Sequence, residues 1–187
     1  MKCCHINRIL HRLYTETTLK SPVNQSNKMK EELKKYHSES YGWALQCCGR
    51  NKIMAEEVLQ KTYLKVLEGK ARYGGKGPFK NWLFIVIRNT ARDVQKKSKH
   101  TLPLSQVDYA IPSVQSDLIA HEEVDMILKA LKQLSGQQQK VLHLVFYQEK
   151  TIKEAADILG ISLGSARTHY QRSKERLKLI LKGYANY

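Results

Sequence analysis

Acidic residues are scarce: 17 Asp and Glu stand against 32 Lys and Arg in 187 residues, for a formal net charge of +15 at pH 7. An excess this large points to a polyanion, either nucleic acid or an anionic membrane surface. Long apolar runs are missing too. None approaches the roughly 20 residues that span a bilayer. The first twenty residues hold no long apolar segment and no small-residue cleavage site. A cytoplasmic protein without membrane insertion is expected.

Cysteine excludes more than it offers. The four cysteines form two adjacent pairs, Cys3-Cys4 and Cys47-Cys48. Neighbouring cysteines build no disulfide framework, and they lack the C-x-x-C spacing of a zinc site. His5 and His11 lie near the first pair and leave weak metal binding there as the less favoured alternative. Free thiols in a reducing compartment, with no metal or cofactor, are expected; Cys47 and Cys48 should act as small core hydrophobes. No period-two apolar run is present. No phosphate-binding GxxxxGK loop, nucleophile-base pair or carboxylate cluster is visible, so the chain does not read as an enzyme.

What is present is helical periodicity. Residues 1–28 form a basic appendage ending in the breaker cluster Ser21-Pro22-Val23-Asn24-Gln25-Ser26-Asn27. This tail is expected to be disordered. Met29 follows directly, consistent with translation starting there. From residue 29 to 100, Leu33, His37, Tyr41, Ala44, Leu45 and Cys48 follow a three-to-four spacing. Gly49-Arg50-Asn51 interrupts it; Ala55, Leu59, Tyr63, Val66 and Leu67 resume it. The loop Tyr73-Gly-Gly-Lys-Gly-Pro78 precedes a helix marked by Phe79, Trp82, Leu83, Val86, Thr90 and Val94, with Pro78 suited to its start. Residues 101–116, with two prolines, read as a linker. Residues 117–187 form a second unit. Leu118, Val124, Ile127, Leu128 and Leu131 mark one helix. Ser135 with Gln138, and Thr151 with Glu154, have the spacing of capping boxes. Val141, Leu142, Val145 and Phe146 are expected to face inward. The predicted fold is all-α: two small helical domains joined by a linker.

Residues 152–174 have the grammar of a helix-turn-helix. Ala156 is small where the helices cross, Gly160 can take a left-handed turn, and Leu159, Ile161 and Ala166 are apolar around it. Ser162 is placed to cap the last helix. Its outward face carries Arg167, Thr168, Gln171 and Arg172. Arginine can pair with guanine and glutamine with adenine. Lys174, Arg176 and Lys178 are placed for phosphates. A basic amphipathic helix packed on a bundle would explain Ala166, Tyr170 and Leu177, but not the glycine turn together with base-reading side chains opposite.

AEEVLQKTYLKVLEG, residues 55–69, and FKNWLFIVIRNTARD, residues 79–93, resemble the polymerase-binding and promoter-melting region of the sigma-70 family. TIKEAADILGISLGSARTHYQRSKERL, residues 151–177, resembles its C-terminal promoter-binding domain. The two-domain plan is that of an extracytoplasmic-function (ECF) sigma factor. The resemblance covers residues 30–182. It implies that the chain binds core RNA polymerase, directs it to promoters and helps open the DNA. Glu56, Glu57, Gln60, Lys61 and Tyr63 would dock on the β′ clamp helices, and the β flap is a further expected contact of the chain. Lys61 departs from the family pattern, where an acid is common. An anti-sigma factor is a further expected partner.

The minus-ten element would meet the loop from Arg72 to Lys80 and the helix after it. Lys70, Arg72, Lys76, Lys80, Arg88 and Arg92 are available for phosphates. Glycines 74, 75 and 77 permit close backbone approach to a flipped base. Tyr73 and Asn89 are the stacking and base-reading candidates. Phe79 and Trp82 fit either stacking or core packing, and packing is commoner. Asp93 matches the family motif and also suits an ion pair. Arg167, Thr168, Gln171, Arg172 and Lys174 would read the minus-thirty-five element. Residues 29–100 hold sixteen Lys and Arg against seven Asp and Glu, which suits single-stranded DNA. Two rivals remain: a helix-turn-helix regulator acting without polymerase, and a DNA-processing enzyme using the motif only to dock.

Overall fold

The structure, a computed structural model, describes residues 22–101 and 127–185. The expectations for residues 1–21, for most of the linker and for Leu118 and Val124 lie outside these. The described residues form helices and no strand, as the sequence pattern predicts. Among them, no helix is long and apolar enough to cross a membrane.

Helix α1 spans Pro22–Lys35. It begins inside the stretch assigned to the tail. Proline at a first helical position loses no hydrogen bond, which lets a breaker open a helix here. Helix α2 spans His37–Cys47. Tyr36 joins the two with φ −100° and ψ 15°, and this offset rotates the buried face. His37 is therefore exposed, against the expected periodicity, and Ser40 and Trp43 turn inward. Trp43 is fully buried, donates Nε1–H to the Phe84 carbonyl at 3.0 Å, and stacks on the Phe84 ring at 5.7 Å. Cys47 and Cys48 are buried and free. Burial pushes their thiols up to about 12 and about 11, so both stay protonated.

Gly49 and Arg50, at φ 62° and 66°, reverse the chain. Asn51 then caps α3, Lys52–Leu67, by accepting from the Met54 amide at 3.0 Å. Ala55, Val58, Leu59, Thr62 and Val66 are its buried residues. Helix α4 spans Phe79–Thr101. Leu83, Phe84, Ile87, Thr90, Ala91 and Val94 are buried along it.

Residues 127–132 are helical (α5). Ser135 caps α6, Gly136–Leu142, through the expected box with Gln138. The chain continues as a π-helical turn, His143–Tyr147. The wider turn shifts the face by one residue. Leu144 and Gln148 are buried, and Phe146, expected inside, is 64% exposed. The second box, Thr151 with Glu154, opens α7, Ile152–Leu159; α8 follows as Leu163–Ala185.

The two helical groups share one core. Val141, Leu144, Ala155, Ile158 and Leu159 pack into the cluster that holds Trp43, Leu83, Phe84 and Ile87. Helix α4 lies against α7, and α2 against α6. Polar contacts line the seam. Asn81 Nδ2 donates to Glu154 Oε1 at 2.8 Å, and the Trp43 and His143 rings stack at 5.7 Å. The Asn81 and Thr151 hydrogen bonds hold the Glu154 carboxyl below the usual range.

Candidate nucleic-acid interface

The turn between α7 and α8 is built from small, well-defined preferences. Gly160 is left-handed at φ 57°, and the Ile161 amide donates back to the Ala156 carbonyl at 3.1 Å. Ser162 Oγ accepts from the Ser165 amide at 3.0 Å and so caps α8. The packing side of α8 is as its pattern predicts. Ala166 is fully buried, and Tyr170 stacks on Phe146 at 5.9 Å. Ser173 is buried as well, with its hydroxyl donating to the His169 carbonyl at 2.6 Å.

Arg167, Thr168, Gln171 and Arg172 are exposed on the other side, and Lys174 is exposed beside Tyr170. Three of them already have local partners. Thr168 donates to the Gly164 carbonyl at 3.0 Å, Gln171 to Glu175 at 3.0 Å, and the Lys174 ammonium sits 5.3 Å from the Tyr170 ring centre. These contacts order the side chains along the helix.

The second basic group surrounds the 68–78 loop and α4. Arg72 donates Nε–H to the Gly69 carbonyl at 3.2 Å, and Lys76 is exposed. Tyr73 is half-buried. Its hydroxyl donates to the Gly77 carbonyl, and its ring meets Phe79 edge-on at 5.3 Å and Trp82 at 5.4 Å. Phe79 and Trp82 thus pack as a cluster at the foot of the loop. Lys80 turns inward to Glu39 at 3.1 Å and over the Phe84 ring. Lys65 pairs with Asp93 at 3.2 Å, the ion-pair option for that aspartate.

Arg88 and Asn89 are adjacent but differently placed. Asn89 is exposed and its Oδ1 accepts from Arg88 Nη2 at 2.9 Å. Arg88 is half-buried, and its Nη1 is buried without a hydrogen-bond partner. Burial, then neighbouring Arg92, holds its pKa below the ordinary guanidinium value. The second helical group covers Arg88 and leaves Arg92 exposed.

A third surface runs along α3. Glu56, Glu57, Gln60 and Lys61 are exposed, and Glu57 pairs with Lys61. Tyr63 is half-buried, hydrogen-bonded to His37 at 3.0 Å, and burial raises its pKa. Ile53, Leu64 and Leu67 lie among the charged residues at 78%, 55% and 43% exposure. Sequence reasoning passed over Ile53 and Leu64 and counted Leu67 only as part of the helical spacing. Their signal was a helix apolar on more than one side, which an isolated periodicity count cannot assign. No group of three or more His, Cys, Asp or Glu that could hold a metal occurs among the described residues.

Known proteins repeat this arrangement. Residues 33–101 match sigma-70 region 2, and residues 125–177 match sigma-70 region 4. The chain is 30% identical over 134 residues to the RNA polymerase sigma factor CarQ of Myxococcus xanthus, covering 71% of this chain and 77% of CarQ. It is 27% identical over 152 residues to the ECF sigma factor SigX of Bacillus subtilis, covering 76% and 78%. The sigma factor RpoE of Bartonella quintana, solved in complex with the anti-sigma factor NepR, has the same fold. Its TM-score is 0.66 at 22% identity, over 83% of this chain and 97% of that one. A region 2-like helical group, a region 4-like helix-turn-helix and these relatives agree: the chain belongs to the sigma-70 family of RNA polymerase sigma factors, in its extracytoplasmic-function branch.

Proposed function

We propose that the chain acts in the cytoplasm as a binding and specificity subunit, with no catalysis of its own. Residues 29–100 engage polymerase and the minus-ten element, and residues 117–187 engage the minus-thirty-five element. The observation that carries this reading is the capped α7–Gly160–α8 turn with Arg167 and Arg172 exposed on α8. Such a helix fits the major groove and can present guanidinium groups to guanine edges. The α3 stripe of Ile53, Leu64 and Leu67, rimmed by Glu56, Glu57, Gln60 and Lys61, suits the β′ clamp helices. The second group contacts the β flap. Arg72, Tyr73, Lys76, Arg88, Asn89 and Arg92 serve the melted strand, and Lys80 reaches it only by leaving Glu39.

The packing of α7 over Arg88 supports a closed resting form. Promoter binding then requires the two groups to separate, because Arg88 cannot meet DNA beneath the Gly160 turn. RpoE of Bartonella quintana was solved with an anti-sigma factor; a comparable partner for this chain would use the same helical groups.

Transcription with purified core polymerase on genomic DNA fragments tests the reading. The expected result is a discrete set of starts that appear only when this protein is added. Absence of core binding would overturn it.

A further inference from the structure

We propose that the cleft between α4 and the helix-turn-helix is a binding site for a small phosphate-type oxyanion, which fastens the two helical groups together. A cavity of about 300 Å³ opens there. Arg88, Arg92 and Gln95 of α4 line one side; Lys140, Gln137 and the Gly160 turn line the other. Its charged lining is three cations and no carboxylate. That composition is unusual for a seam within one chain, because like charges brought together at reduced solvation repel.

Arg88 makes the case specific. Its Nε and Nη2 donate to Asn89, whereas Nη1 is buried with no acceptor. The guanidinium lies against the turn, so close that a Cβ at Gly160 would lie 2.7 Å from Nη1. A guanidinium fixed in this way keeps its positive charge at the wall of the cleft, where an anion can meet it. A phosphoryl group in the cleft would offset the repulsion between Arg88 and Arg92 and add Lys140 as a third cationic partner. The volume suits a phosphate or diphosphate group, with any attached nucleoside outside.

The site exists only while the groups are packed. Arg88 and Arg92 belong to α4, Lys140 to α6 and Gly160 to the α7–α8 turn. Ligand therefore binds the closed form and shifts the equilibrium towards it by mass action. Competition with promoter DNA follows only if the proposed role of Arg88 and Arg92 is right; the oxyanion site itself does not depend on that role.

The test uses the full-length protein without polymerase or DNA, so it stands apart from the promoter reading. Inorganic pyrophosphate and ATP are titrated separately by calorimetry, and amide exchange is followed by mass spectrometry. Saturable pyrophosphate binding is expected, weakened roughly tenfold in Lys140→Gln and in Arg92→Gln, the loss of one charge-assisted hydrogen bond each. Lys132→Gln, which removes an exposed lysine that does not line the cleft, should bind as the parent does. Pyrophosphate should also slow exchange at residues 158–162 in the parent and not in Lys140→Gln. Equal affinity for ATP assigns the site to the phosphates alone, and tighter ATP binding assigns a nucleotide; both support the site. No binding at millimolar pyrophosphate, or equal weakening in all three variants, overturns it.

Discussion

The Arg88 guanidinium rests on the backbone of Gly160: a Cβ there would stand 2.7 Å from Nη1 and 3.1 Å from Nη2. Seventy-two positions apart, these residues set the seam between the two helical groups. Gly160 is also left-handed, at φ 57°. Gly160→Ala therefore meets two penalties, about 1 kcal/mol for the backbone and the displacement of Arg88. A lower urea midpoint and faster amide exchange at the α4–α7 seam are expected. Unchanged exchange at the seam would show that Arg88 can move aside without cost.

His143 gives the seam a pH dependence. It stacks between Trp43 and Tyr147, and its buried Nε2 has no partner. Burial, with Arg50 and Lys80 adding repulsion, pulls its pKa from 6.5 to about 4. The folded state thus refuses a proton that the unfolded chain accepts between pH 6.5 and 4. Stability is full above pH 6.5 and falls as pH drops through that window. His143→Phe should flatten the urea midpoint against pH over this range, and an unaltered slope would assign the acid sensitivity elsewhere.

Leu64 is 55% exposed on α3, so a charge there leaves the fold intact. Leu64→Glu should keep the parent's thermal midpoint and weaken core polymerase binding by about 1–2 kcal/mol. Normal affinity in a pull-down with core enzyme would remove this stripe from the interface.

Arg172 and Asn89 are expected to act at different steps. Arg172→Ala should cost about 1–3 kcal/mol in recognition of the upstream element, read by footprinting on the duplex. Asn89→Ala should leave that footprint in place and reduce permanganate reactivity of the melted strand. Equal losses in both assays for Asn89→Ala would make it a general phosphate contact.

Local chemistry made much of the fold legible. Both capping boxes, the Gly160 turn and the Ser162 cap depend on residues within a few positions of each other, and each forms as its pattern predicts. The buried side of α8 followed from Ala166 and Tyr170 for the same reason. Misplaced residues lay where a helix changes register. Tyr36 breaks the α1–α2 run and exchanges His37 for Trp43; the π-helical turn turns Phe146 outward. A periodicity reading assumes one continuous helix and cannot anticipate either shift.

The sequence by itself determined an all-α chain, its helix-turn-helix and the residues able to meet a polyanion, because these rest on local spacing and composition; its motifs added the resemblance to the sigma-70 family. Only the tertiary structure decided which of those residues are free. It tied Lys80 to Glu39, folded Tyr73 onto Phe79 and Trp82, and set Arg88 beneath the Gly160 turn. Those outcomes depend on how α4 packs against α2, on how the 68–78 loop folds over its foot, and on how α7 packs across it. Packing between distant segments is a property of shape and burial that no local pattern encodes.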